Sequence, residues 1–250
     1  MTIRPFLLAL LLAPALVSSA AQAAGESKDR IERNLPPITA VSLQGTGELI
    51  ITQGDRDALV IEGAGEITRE LKSEVQNGKL VLTNERDWGS VTWDGFLMNF
   101  SFKKPGRQHV RYYLTVKNLK EIESSGAGHV RMEGFKGDVL KVEGAGATKF
   151  EFSGLKLREL HFDAAGACKA TFAGEVESQH IDIAGAGSYE AAKLDSKTIR
   201  IDIAGSGKAE LRAKERIEAS IAGVGKIDYY GDPKVIPSIA GLGRIRKAGP

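Results

Sequence analysis

The segment Ile181-Asp-Ile-Ala-Gly-Ala-Gly-Ser-Tyr-Glu-Ala191 returns as Ile201-Asp-Ile-Ala-Gly-Ser-Gly-Lys-Ala-Glu-Leu211. In both copies, apolar and polar residues alternate on either side of a Gly-x-Gly motif. Alternation with a period of two is typical of a β-strand that buries one face and exposes the other. Each copy therefore predicts two short strands joined at a glycine bend.

The motif recurs along the chain with a nearly constant interval. Its successive first positions from Gly126 onwards lie 18, 20, 21, 20, 18 and 18 residues apart, with Ala164-Ala165-Gly166 standing in for one copy. Earlier copies begin at Gly45 and Gly63. The glycines to which we assign a structural role, as a crowded inner corner, are Gly126, Gly128, Gly144, Gly146, Gly166, Gly185, Gly187, Gly205, Gly207, Gly223, Gly225, Gly241 and Gly243.

Two strands in each interval, with no helical pattern between them, favour a solenoid. A single coil cannot bury its inner face alone, whereas stacked coils share one core. We therefore predict an all-β, right-handed parallel β-helix with coils of 18–21 residues. A phosphate-binding loop is a poor alternative, because no motif extends to Gly-x-Gly-x-x-Gly or is followed by Gly-Lys-Ser/Thr.

The ends of the chain predict its organisation. Residues 1–23 have the basic start, short apolar run and Ala-Gln-Ala ending of a signal peptide. We expect a flexible leader over 24–37 and a solenoid over 38–247, with a non-repeating excursion at 66–121. The expected location is outside the cytoplasm, either periplasmic or secreted to the cell surface, with no transmembrane segment in the mature chain.

Charge and cysteine content exclude several classes of function. The 250 residues carry 34 Lys and Arg against 32 Asp and Glu, a formal net charge of +2, which argues against a nucleic-acid partner. The single cysteine, Cys168, excludes an internal disulfide and a cysteine-rich zinc site. We expect no cofactor and no bound metal.

Within the excursion, Asn77-Gly78 separates two apolar runs and predicts a hairpin with a two-residue turn. This hairpin, the run from Val110 through Ser124-Ser-Gly-Ala-Gly128 to Val130, and the ordered glycine motifs resemble the head GIN domain family over about residues 38–230. That family is described as bacterial autotransporter adhesins. The resemblance implies a right-handed β-helix in an exported protein and brings no catalytic residues.

An aromatic segment in the excursion is the first candidate binding site. Trp88, Trp93 and Phe96 are followed by cations that would favour an acidic glycan or a lipid headgroup, namely Lys103, Lys104 and Arg107. The alternative is a hydrophobic cap over the open end of the core.

A polar cluster on the outer face is the second candidate, comprising His161, Asp163, His180, Asp182 and Asp202. Aligned on the first glycines, His161, Asp182 and Asp202 are expected to share one column. Imidazoles beside carboxylates could hold a metal or act as an acid/base pair. The alternative, which we favour, is a solvated face of weak pairs.

These observations favour a non-enzymatic binding or adhesion module for an envelope glycan or a partner protein. The alternatives are a carbohydrate-active enzyme on the same scaffold and a structural component of the envelope. Fold alone does not decide among them.

The aromatic segment gives the first testable prediction. Trp88→Ala and Trp93→Ala should each weaken glycan binding by about 1–3 kcal/mol, because each removes an indole face from a stacking platform. Titration calorimetry would measure the affinity while thermal melting follows folding. Loss of several kcal/mol of stability in both variants would instead identify a core cap.

Overall fold

The computed structural model describes residues 28–64, 71–84, 90–94, 97–101 and 110–250. These residues contain strands and turns and no helix, and therefore none of the long apolar helices that a membrane crossing requires. The strands are β1 Lys28–Asn34, β2 Ala40–Gln53, β3 Ala58–Ala64, β4 Lys72–Gln76, β5 Lys79–Asn84, β6 Ser90–Asp94, β7 Leu97–Ser101, β8 Arg111–Val116, β9 Glu121–Glu133, β10 Val139–Gly146, β11 Lys149–Gly166, β12 Lys169–Gly185, β13 Ser188–Tyr230, β14 Lys234–Gly241 and β15 Arg244–Gly249.

The predicted β-solenoid is confirmed. From β2 onwards each coil pairs in parallel with the next, in the order β2, β9, β10, β11, β12, β13, β14, with β15 also on β13. β13 runs through more than two coils, because the backbone stays extended around the glycine corners. Inward-facing side chains are buried and alternate with outward-facing ones, as the period of two requires.

The excursion supplies strands that stack on the first coil, along the edge of β2 opposite β9. β4 and β5 form the predicted hairpin, with positive φ at Asn77 (+50°) and Gly78 (+76°). β5 and β8 each pair in parallel with β2, and β3 and β1 extend that edge in antiparallel fashion. Of the described excursion, β4, β5 and β8 are thus built into this sheet, whereas β6 and β7 form a separate two-stranded antiparallel sheet.

The core is a column of stacked side chains that runs the length of the solenoid. Its widest part holds Phe150, Phe152, Phe162, Phe172 and Tyr189, all buried. Phe152 and Phe172 stack with ring centroids 4.9 Å apart, and their neighbours meet edge to face. Such pairs add to the free energy of burial and hold neighbouring coils in register.

The glycines of the motif form two columns with different roles, which corrects the single inner corner that we expected. In the outer column, φ is positive and the residues are mostly exposed. Its members are Gly45, Gly126, Gly146, Gly166, Gly185, Gly205, Gly223 and Gly241. A β-carbon at position 205 would lie 2.6 Å from the carbonyl oxygen of Gly185 on the preceding coil. The outer glycine is therefore required by its backbone conformation and by the close approach of the next coil.

The inner column lies two residues further on and is buried. A β-carbon at Gly187 would lie 2.5 Å from Cγ2 of Ile183, four residues earlier on the same coil. Where the earlier residue is small, as at Gly144 and Ala164, the later one is larger, namely Thr148 or Cys168. At these corners the two inward positions thus share one volume, whereas at Ser124 and Gly128 both are small and Leu43 of the neighbouring coil approaches.

The coil register also differs from the sequence alignment. Gly126 pairs with Gly146 and not with Gly144, and Gly146 pairs with Gly166. Successive outer glycines from Gly126 are therefore 20, 20, 19, 20, 18 and 18 residues apart. The alignment was wrong by two residues because Gly144-Ala-Gly146 places its second glycine in the outer column.

Gly205→Ala should lower the free energy of unfolding by more than about 2 kcal/mol, because the added methyl meets a backbone oxygen in a strained conformation. The matched control is Ser206→Ala at the exposed next position, which should change it by less than about 0.5 kcal/mol. Chemical denaturation measures both. Equal effects would contradict the close-approach assignment.

Candidate functional site

The outward face of the strands that precede each outer glycine carries the densest array of polar groups. We call it the ladder face. Two of its columns carry charged or ionisable side chains. A third column, beside the corner, consists of small residues, with Ala145, Ala165, Ala184 and Ala204 in register. Because the strands are in parallel register, each column repeats about every 4.8 Å along the solenoid.

The first charged column consists of carboxylates, which we call the acidic ladder. Its five members are in register on consecutive coils, and they are Glu123, Glu143, Asp163, Asp182 and Asp202. From end to end the column spans about 19 Å. Like charges on neighbouring strands repel one another, so this column costs stability unless cations neutralise it.

The second column lies two residues earlier on each strand and is mostly basic. After Glu121 it continues with Lys141, His161, His180 and Arg200 in register. The rings of His161 and His180 stack with centroids 5.6 Å apart and planes within 9°. The expectation that His161 shares a column with Asp182 and Asp202 is therefore wrong, because the coil between Gly166 and Gly185 is two residues shorter than assumed.

The cations neutralise the acidic ladder unevenly. Lys141 pairs with Glu143 and lies 3.8 Å from Asp163, and Arg200 Nε lies 3.2 Å from an oxygen of Asp202. Within the described part of the chain, Asp182 makes no ion pair. Partial burial raises the pKa of the Asp163 carboxyl, and its neighbour Asp182 raises it further while Lys141 lowers it.

A lysine occupies the centre of the N-terminal end of the ladder face. Carboxylate oxygens of Glu121, Glu123 and Glu143 lie within 4.8 Å of one another, a spacing that a metal ion could use. Lys79 Nζ, on β5, lies 2.5 Å from Glu123 and 3.6 Å from Glu121. Hydrogen bonding to Glu123 raises the pKa of Lys79, so an ammonium supplies the positive charge at this cluster.

A groove of about 710 Å³ runs along the ladder face across seven coils. Its charged wall is the acidic ladder, and small residues form its floor, among them Ser125, Ala145, Ala165, Ala184 and Ala204. A smaller depression of about 320 Å³ adjoins the histidines and contains Arg200, Arg216 and Glu218. The two depressions expose both signs of charge to one extended ligand.

The opposite side of the corner holds a second charged network. Glu151 accepts bonds from His129 (2.8 Å) and Arg131 (3.1 Å), and Arg131 also reaches Glu48 at 3.2 Å. A hydrogen bond from Lys149, followed by those from Arg131 and His129, lowers the pKa of Glu151 to about 2. These groups satisfy one another, so the network links coils and leaves little capacity for a ligand.

Of the sequence-predicted residues, the structure brings His161, Asp163, His180, Asp182 and Asp202 together on the ladder face. Trp88, Phe96, Lys103, Lys104 and Arg107 lie outside the described residues. Trp93 belongs to β6, where it pairs with Met98 of β7. Sequence reasoning did not include Lys79, Glu123 and Glu143 in the site. An alignment that matched Gly146, and not Gly144, to Gly126 would have placed both glutamates in one column with Asp163.

The family model described as "putative auto-transporter adhesin, head GIN domain" matches residues 37–233. The chain therefore belongs to the head GIN domain family, as its sequence indicated. A comparison with curated proteins found no match.

Several solved structures share the fold. A putative adhesin from Bacteroides fragilis is 22% identical with a TM-score of 0.75, covering 89% of this chain and 98% of its own. A putative lipid binding protein from Parabacteroides distasonis is 22% identical with a TM-score of 0.66, covering 88% and 96%. A putative adhesin from Parabacteroides merdae is 18% identical with a TM-score of 0.58, also covering 88% and 96%.

Asp163→Asn should raise the melting temperature at pH 7 by about 1–2 °C, because it removes a partly buried charge from the acidic ladder. A folded-state pKa raised above 3.8 means that the ionised form opposes folding, so the gain should vanish as the pH falls below that value. Scanning calorimetry at pH 7 and below pH 3.8 measures the melting temperatures of the variant and the wild type.

The matched control is Asp202→Asn, which removes the partner of Arg200 and should give no such gain. A gain of the same size in both variants would contradict the special position of Asp163.

Proposed function

We propose that this member of the head GIN domain family is an exported, non-enzymatic binding module whose ladder face holds an extended envelope glycan. The observation that carries the proposal is the groove, in which five in-register carboxylates stand beside a floor of small side chains. A repeating surface of this length matches a polymer better than a single small molecule.

The two charged columns determine the chemistry of the ligand. Carboxylates accept strong hydrogen bonds from the hydroxyl and amino groups of a sugar chain. The parallel column of Lys141, His161, His180 and Arg200 would receive acidic substituents. A glycan that carries amino and acidic groups would therefore use both columns.

Family membership supports a binding or adhesion role and an exported or surface location. The ladder face supports it independently, because Asp182 has no ion pair among the described residues and Asp163 shares Lys141 with Glu143. Natural proteins retain such unfavourable charge where it serves a ligand. The aromatic segment around Trp88 and Trp93 remains a predicted second contact for the same class of ligand.

The test is titration of isolated envelope glycan fractions, with acidic, neutral and amino-sugar-containing fractions compared. Asp182→Asn should lower the affinity about tenfold, because it replaces a charged acceptor that has no competing ion pair. The matched control is Glu215→Gln, an exposed carboxylate outside the ladder face, which should bind like the wild type. Equal affinity in both variants would contradict the proposal.

A carbohydrate-active enzyme is the second candidate, favoured by one observation. Asp163 and Asp182 are neighbours in the acidic ladder, and the raised pKa of Asp163 suits a proton donor beside an ionised carboxylate. Release of reducing ends from a bound fraction, abolished by Asp163→Asn while binding persists, would establish catalysis.

A further inference from the structure

The C-terminal end of the solenoid differs from the rest of its surface. Among the described residues, the exposed large hydrophobic side chains are Val224 (57%), Ile236 (40%), Ile239 (45%) and Leu242 (82%). All four lie on the last two coils. At the corner position of Val224 and Leu242, earlier coils carry Ala127, Ala147, Ala167, Ala186 and Ser206. A cluster of exposed apolar side chains at one end of a domain marks an interaction surface.

Leu242 and Val224 lie side by side at the glycine corner. The backbone N–H of Leu242 donates to the carbonyl oxygen of Gly223 at 2.8 Å, which fixes the two tips on adjacent coils. A groove of about 730 Å³ beside them is lined by glycines and by a column of cations. The cations are Lys169, Lys208, Lys226 and Arg244.

The charge of this end is one-sided. Residues 233–250 contain Lys234, Arg244, Arg246 and Lys247 and no carboxylate side chain. Arg246 pairs with Asp228 at 3.0 Å, and Lys247 pairs with Asp232. Lys234 and Arg244 have no ion-pair partner in the described part of the chain. Arg244 lines the groove beside Leu242 and Val224, and Lys234 lies two residues before Ile236 on β14. We call Val224, Ile236, Ile239 and Leu242, with Lys234 and Arg244, the terminal patch.

The edge strand β14 at this end opposes the addition of another strand. β14 is the last strand in the sheet order and pairs with β13 alone. Its centre holds Pro237, which lacks an N–H, and its first residue is Lys234. Proline and lysine on an edge strand discourage edge-to-edge pairing. A second copy docking through the same surface would also bring like charges together.

We infer that the terminal patch docks onto the surface of an anionic phospholipid bilayer. Leu242 and Val224 enter the interface between headgroups and acyl chains, while Arg244 and Lys234 pair with lipid phosphates. The combination of protruding aliphatic side chains and unpaired cations is complementary to that surface. Lys234 and Ile236 lie on the last strand of the ladder face, beyond its five carboxylates, whereas Val224, Leu242 and Arg244 lie at and after the corner. The inference does not rest on glycan binding.

The first experiment places an environment-sensitive fluorophore at the patch in the full chain. Leu242→Cys is labelled, and Cys168 stays unlabelled because it is 3% exposed in the core. Vesicles of phosphatidylcholine mixed with phosphatidylglycerol should shift the emission to the blue, and vesicles of phosphatidylcholine alone should not. High salt should reverse the shift, because it screens the cations.

The matched label is Ala127→Cys, at the equivalent corner position near the other end of the solenoid. It should not respond to either vesicle. An equal response at positions 127 and 242, or none at 242, would overturn the inference.

The second experiment measures vesicle binding by flotation. The double variant Val224→Asp/Leu242→Asp should bind anionic vesicles about tenfold more weakly or worse, because it removes both apolar tips. The control is Ala127→Asp/Ala147→Asp, exposed positions that receive the same charge. Since residues 1–27 are the same in all variants, the difference between them reports on the patch.

Analytical ultracentrifugation without vesicles tests the other possible occupant of the terminal patch, a second copy of the chain. A wild-type dimer that the Val224→Asp/Leu242→Asp variant dissolves would show that a second copy covers the patch and would overturn the inference. Loss of vesicle binding with unchanged glycan binding would support it and leave the proposed function intact.

Discussion

At each corner of the solenoid, the carbonyl oxygen of an outer glycine occupies the space that a β-carbon on the next coil would need. The contact between Gly185 and Gly205 is one example, with 2.6 Å between that oxygen and the position of a β-carbon. Because the contact lies between backbones, no rearrangement of a side chain can relieve it. With glycine at that position, a backbone N–H can reach the same kind of oxygen, as Ala147 donates to Gly126 at 2.8 Å. These bonds between coils hold the register from which the ladders of like residues on the outer face follow.

The alternation of apolar and polar residues was sufficient to predict the strands, and the recurring motif was sufficient to predict the solenoid. The register was not predictable, because the two glycines of the motif serve different needs. One adopts a positive φ against the neighbouring backbone, and the other leaves room for an isoleucine four residues earlier. At Gly144-Ala-Gly146 the spacing alone cannot distinguish these roles. The choice of the wrong glycine displaced the two coils aligned on Gly144 and Ala164 by two residues relative to the others.

This error in the alignment limited how much of the candidate site could be predicted from the sequence. The residues His161, Asp163, His180, Asp182 and Asp202 were identified from composition, since polar groups cluster there in any alignment. Their sorting into an acidic and a basic column required the true register, and so did the inclusion of Glu123 and Glu143. Lys79 reaches the same face from β5, a strand outside the repeat, and no periodicity could have connected it to the ladder.

The constancy of the corner contrasts with the variable length of the coils. Coils of 18, 19 and 20 residues keep the same glycine column in register, so the extra residues are taken up on the sides away from the corner. A register shift between Phe152 and Leu155 shows one such place. The chain can therefore gain or lose residues there during evolution without disturbing the ladders, whereas a single insertion at a glycine corner would separate the outer columns of all later coils from those of all earlier ones.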